Sequence, residues 1–190
     1  MRWSTGEATI ERLLAEGRVQ RVQGAQADGA SWLDRARRGL EAARALADSA
    51  PDSSVVLAYD AARQACVAVL AQQGLRPTTT GGHYAIEEVI RAQFGPTLRA
   101  FGGLRRRRNE LEYPDYPTEQ ASAAEAAETL NTAAEIIDAA ANLVLNLGFF
   151  LPTRDVRYRA PDRRLGAAGS RTFHSALRRG PSCRRAPFYG

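Results

Sequence analysis

From about residue 118 to residue 147, Ala126, Leu130, Ala133, Ile137, Ala140, Val144 and Leu147 recur every three or four positions. That is the repeat of a helix with one buried face, whereas a strand would need a repeat of two. The same period returns upstream. Trp32, Ala36, Leu40, Ala43 and Ala47 predict a helix at about 31–49, and Val56, Tyr59, Arg63, Cys66, Val67 and Leu70 predict one at about 53–73. Pro51 separates these two, and Gly74 ends the second. Ile10, Leu13 and Leu14 share a stripe on a first helix, opened by the capping-box pattern Ser4-x-x-Glu7. Tyr84, Ile86, Val89 and Ile90 mark a shorter helix at about 83–94, punctuated by Gly95-Pro96, and a fifth runs on to Glu112. Nowhere do β-branched residues alternate long enough to predict a strand. The expected fold class is all-α, an antiparallel up-down bundle of five to six helices.

With 44% hydrophobic residues, the chain is too apolar to be wholly disordered. No uninterrupted apolar run approaches the roughly 20 residues that span a bilayer. The opening MRWSTGEATIERLL lacks the apolar stretch and small-residue cleavage site of a secretory signal, so a cytoplasmic protein without membrane association is expected. Two cysteines (Cys66 and Cys183) and two histidines (His83 and His174) give neither a disulfide framework nor metal-ligand spacing. No metal and no cofactor are expected, and Cys66 reads as a small core residue.

The net charge of +5 is unevenly distributed. Residues 152–190 hold ten arginines and two acids, whereas residues 1–151 hold sixteen arginines and nineteen acids. Apolar periodicity also ends at Pro152. The organisation expected is therefore an N-terminal helix and linker at 1–29, a helical domain at 30–150 and a disordered Arg-rich tail at 151–190. Arginine pairs in the tail, with Phe173, Phe188 and Tyr189 among them, suit salt-sensitive RNA contact. The chain contains no lysine and much alanine, a bias of GC-rich coding, so surplus arginine alone does not argue for nucleic acid.

The segment LRRRRNELEY, residues 104–113, carries the chemistry. At 100° per residue Arg108 falls about 40° from Leu104, inside the apolar stripe of Leu98, Phe101, Leu104 and Leu111. A guanidinium there must be paired or line a cleft, and Glu112, one turn on, is a local partner. Arg105, Arg106 and Arg107 read as a solvated face, and Gly102-Gly103 loosens the helix just before them. Pro114 and Pro117 force Tyr113 and Tyr116 out of helical geometry. GGH at 81–83 is not a phosphate loop, which needs a lysine after its glycines.

The layout resembles the HEPN superfamily of small dimerising helical bundles. The resemblance spans roughly 30–147 and rests on AYDAARQAC (58–66), GLRPTTTGGHYAIEEVI (74–90) and LRRRRNELEYP (104–114) before the final long helix. It implies a signature of arginine, a polar residue, and histidine four to six residues after the arginine. Arg108 and Asn109 match the first two, and Tyr113 stands where the histidine is expected. By that resemblance Arg108 stabilises charge on a phosphorane-like transition state, Asn109 orients phosphate or water, and Tyr113 donates a proton or stacks on a base. His83, at a helix start, is a further candidate for the missing imidazole. The function implied is RNA targeting by a homodimer, as a metal-independent endoribonuclease or toxin-type component. Two alternatives stand beside it. One is a degenerate module that binds RNA, nucleotide or a minimal nucleotidyltransferase partner. The other is a structural helical adaptor.

Overall fold

The computed structural model describes residues 5–150, Pro117 excepted. They form six helices: α1 (Glu7–Ala15), α2 (Gly29–Arg44), α3 (Pro51–Gln72), α4 (Gly82–Leu98), α5 (Phe101–Glu112) and α6 (Ala123–Asn146). Two three-residue strands, β1 (Val19–Arg21) and β2 (Leu75–Pro77), pair antiparallel with Gln20 opposite Arg76. A short 3-10 turn at Gly24–Ala27 leads into α2. The all-α expectation holds, with this small ladder as its addition. The predicted tail at 151–190, with Cys183 and His174, lies outside the described residues.

α3 is the central element, and α2 and α6 pack along it. Gly29 sits against Ala68 and Gln72, Gly39 against Ala61, and the Ser54 hydroxyl donates to the Ala43 carbonyl at 2.8 Å. Rising α2 numbers thus meet falling α3 numbers, and the two helices are antiparallel. α6 follows α3 in the same sense. Asp52, in the first turn of α3, accepts from the Ala121 N–H, while Gln72 at its end donates to the Leu147 carbonyl. α4 and α5 together make the return stroke. The apolar face read from the sequence is the buried one: Ala126, Leu130, Ala133, Ile137, Ala140 and Val144 on α6, and Leu147 at its C-cap, all lie in the interior. By length and composition α3 could cross a membrane, but most of it is buried within the protein. Cys66 is fully buried on it, and burial pushes its thiol pKa up, as suits an inert core residue.

Several boundaries differ from expectation for local reasons. α1 begins behind Gly6, whose φ of 74° only glycine adopts cheaply, and no side chain caps it. α4 runs through Gly95-Pro96 to Leu98, absorbing the proline by a kink at Phe94. α6 starts at Ala123 rather than 118, because Ser122 caps it by accepting from the Glu125 N–H at 3.1 Å. The turn TTTGG (78–82), leading from β2 into α4, is a docking point. Thr78 donates its N–H to the Arg18 carbonyl at 3.0 Å and its hydroxyl to the Gly17 carbonyl at 2.7 Å. These bonds and the β1–β2 pairs tie the N-terminal segment to the bundle.

Candidate functional site

Arg108 occupies the C-terminal half of α5 with its side chain 21% exposed. Glu112, one turn on, ion-pairs with it, and its Nη1 donates to Asn109 Oδ1 at 3.2 Å. The helix runs unbroken through Gly102-Gly103, so the predicted placement of Arg108 beside the apolar stripe is preserved. Gly102 is buried for a different reason than loosening. A Cβ there would meet Glu87 Oε1 at 2.9 Å, so the glycine makes room for a carboxylate from α4.

The remaining arginines divide by partner. Arg105 is only 12% exposed, ion-pairs with Glu87 on α4 and lies 4.4 Å from the centre of the Tyr84 ring. Arg107 reaches α6, where its Nη2 donates to Glu125 at 3.1 Å, and it also pairs with Glu110. Arg106 alone is solvated. The expectation of one solvated face therefore fails for Arg105 and Arg107, whose carboxylate partners sit on neighbouring helices. These two tether α5, leaving Arg108 as the partly sheltered cation near the end of the helix.

Tyr113 caps α5 at φ −132°, as Pro114 requires, and is 77% exposed. His83 lies in the first turn of α4, and its Nδ1 is 2.6 Å from the hydroxyl of Tyr59 on α3. Tyr59 is wholly buried and stacked 5.6 Å from Phe101 at the start of α5. A side chain from α3 thus fixes an imidazole on α4, braced by a ring on α5. Burial raises the Tyr59 pKa, so its phenol keeps its proton.

Burial and the positive charges of Arg63 and Arg108 together hold the His83 imidazole below its ordinary pKa, with Asp60 and Glu112 opposing more weakly. The structure therefore brings His83 within the electrostatic reach of Arg108, although they are 25 positions apart in sequence. The sequence reading did not mark Tyr59 or Arg63 as parts of a site. Their signal is a tyrosine and an arginine one helical turn apart on a largely buried helix. Arg63 Nε donates to Asp60 at 3.0 Å, which orients the guanidinium.

Chemically, the arrangement offers an imidazole held below its ordinary pKa by burial and by the field of Arg63 and Arg108, each itself paired with a carboxylate. Such a group can take up a proton, while the cations favour an anion beside it. No curated protein and no solved structure gives a significant match to the chain. The HEPN domain family model matches residues 30–143, more than half of it. The helical bundle, the arginine near the end of α5 and this match together place the chain in the HEPN family.

Proposed function

We propose that this HEPN protein targets RNA and cleaves it through Arg108 and His83. The observation that carries the reading is an imidazole positioned by Tyr59 and held below its ordinary pKa by burial, Arg63 and Arg108. In the tautomer with hydrogen on Nδ1, the ring donates a hydrogen bond to the Tyr59 oxygen and keeps that hydrogen, and Nε2 has a free lone pair. It accepts the proton of a ribose 2′-hydroxyl, whose oxygen then attacks the adjacent phosphorus. The O2′–P bond forms, the P–O5′ bond breaks, and a cyclic 2′,3′-phosphate and a 5′-hydroxyl result. Arg108 stabilises the added negative charge on phosphorus, and Asn109, bonded to it, orients the phosphate. Tyr113, five residues beyond Arg108, supplies the proton for the leaving oxygen. The protein works as a homodimer, and a minimal nucleotidyltransferase is its candidate partner.

Purified wild type and Arg108→Ala, matched for helicity, are incubated with cellular RNA in excess chelator. Cleavage by wild type alone supports the reading. Equal cleavage by both variants removes Arg108 from the chemistry.

A second reading, a module that binds RNA or nucleotide without turnover, is favoured by the tyrosine at position 113, where the family pattern has histidine. A phenol of ordinary pKa near 10 is a poor base at neutral pH. This reading predicts retained RNA affinity without products, weakened in Arg108→Ala.

A further inference from the structure

The N-terminal strand lies outside the part of the chain that matches the HEPN domain, yet it completes a cleft beside His83. β1 pairs with β2, and Gly81 packs so tightly against the preceding turn that a Cβ would lie 2.1 Å from the Arg18 carbonyl oxygen. Gln20 on β1, Arg63 on α3, Arg76 on β2, Thr79, and Gly82 and His83 at the start of α4 are thereby gathered around one opening of about 560 Å³.

The lining carries two guanidiniums, an amide, two threonine hydroxyls and an imidazole, and no carboxylate. Asp60 takes only Nε of Arg63, leaving its terminal nitrogens available. Arg76 is exposed, and among the described residues it has no carboxylate partner. With Arg63 only partly compensated by Asp60 and Arg76 uncompensated among the described residues, this concave space carries an excess of positive charge that an anion relieves. The positive end of the 17-residue helix α4 opens on the same space. The volume lies within the range of small-ligand sites, about 300–1,000 Å³.

We propose that this cleft seats a nucleotide phosphate between Arg63 and Arg76, with the sugar and base beside Gln20 and Thr79. The phosphate comes either from a single RNA strand passing His83 or from a free mononucleotide, and the chemistry of recognition is the same. The strand source rests on the RNA reading of Arg108 and His83, and the free-nucleotide source does not.

The test is a titration of the full chain with a short unstructured oligoribonucleotide and, separately, with AMP, at several salt concentrations. The proteins compared are wild type, Arg76→Ala, Arg63→Gln and Arg108→Ala. Arg76 is exposed, so its replacement leaves the fold intact, as circular dichroism verifies. The expected result is that each cleft variant weakens binding roughly fivefold to tenfold and lowers the slope of log affinity against log salt by about 0.7. If this holds for the oligonucleotide while AMP binds no variant, the strand is the source. If AMP affinity falls in parallel, the source is a free nucleotide. Unchanged affinity and slope for both probes in both cleft variants overturn the proposal. Loss of binding in Arg108→Ala with no effect of the cleft variants overturns it while leaving the Arg108 reading intact. The converse pattern supports the cleft and removes Arg108.

Discussion

The hydroxyl of Tyr59, buried on α3, meets Nδ1 of His83 on α4 at 2.6 Å, and this contact holds the imidazole in the cleft that Arg63 of α3 also lines. Tyr59→Phe keeps the ring stacked on Phe101 and removes only the oxygen. The hydrogen bond is worth about 1 kcal/mol, so melting temperature should fall by a few degrees with helicity unchanged. RNA cleavage should fall further than that loss explains, because Nδ1 no longer has a partner that holds the ring. Calorimetry and a cleavage assay on the same preparation check both outcomes.

The lowered His83 pKa fixes the sign of a pH effect. The unfolded chain binds a proton at His83 near pH 6.5, while the folded chain does so only at lower pH. Folding stability should therefore decline as pH falls below about 6.5, and the decline should level off below the folded-state value. His83→Gln should remove this part of the slope. Denaturant titrations of both proteins across that window measure it. Activity, if His83 is the base, should persist to more acidic pH than an ordinary imidazole would allow.

The four consecutive arginines should respond differently to alanine. Arg105→Ala breaks a largely buried tie to Glu87 and a contact with Tyr84, and should cost about 1–3 kcal/mol. Arg107→Ala, at a more exposed pair, should cost less. Arg106→Ala should stay within about 0.5 kcal/mol of wild type. Arg108→Ala loses an i,i+4 pair worth about 0.3–0.5 kcal/mol, so its main effect should be on RNA. Chemical denaturation of the four variants separates the tethers from the site.

The paired glycines of α5 should also part company. Gly103 has open space around its missing Cβ, so Gly103→Ala should stabilise by about 0.5–1 kcal/mol. At Gly102 the new methyl meets Glu87 Oε1 and disturbs the Arg105 pair. Gly102→Ala should therefore gain nothing or destabilise. Thermal melts of the two variants decide.

Where a residue's environment is set by its own helix, the sequence was a sufficient guide. The buried face of α6 and the burial of Cys66 follow from spacing alone, and the placement of Arg108 beside Glu112 follows from one helical turn. What spacing could not reveal depends on partners distant along the chain. Glu87 and Glu125 each lie 18 positions from the arginine they hold, and Tyr59 lies 24 from His83. β1 and β2 are three residues each, too short for a period of two to register, and it is their pairing that places Arg76 near His83.

The central claim is that His83 supplies the imidazole that position 113 lacks. Its most direct test is single-turnover cleavage of a defined RNA in chelator by wild type, His83→Ala and Tyr113→Phe. The account predicts that His83→Ala abolishes formation of the cyclic phosphate, while Tyr113→Phe slows it and leaves the product unchanged. Full activity in His83→Ala would contradict the account and move the proton transfer away from α4.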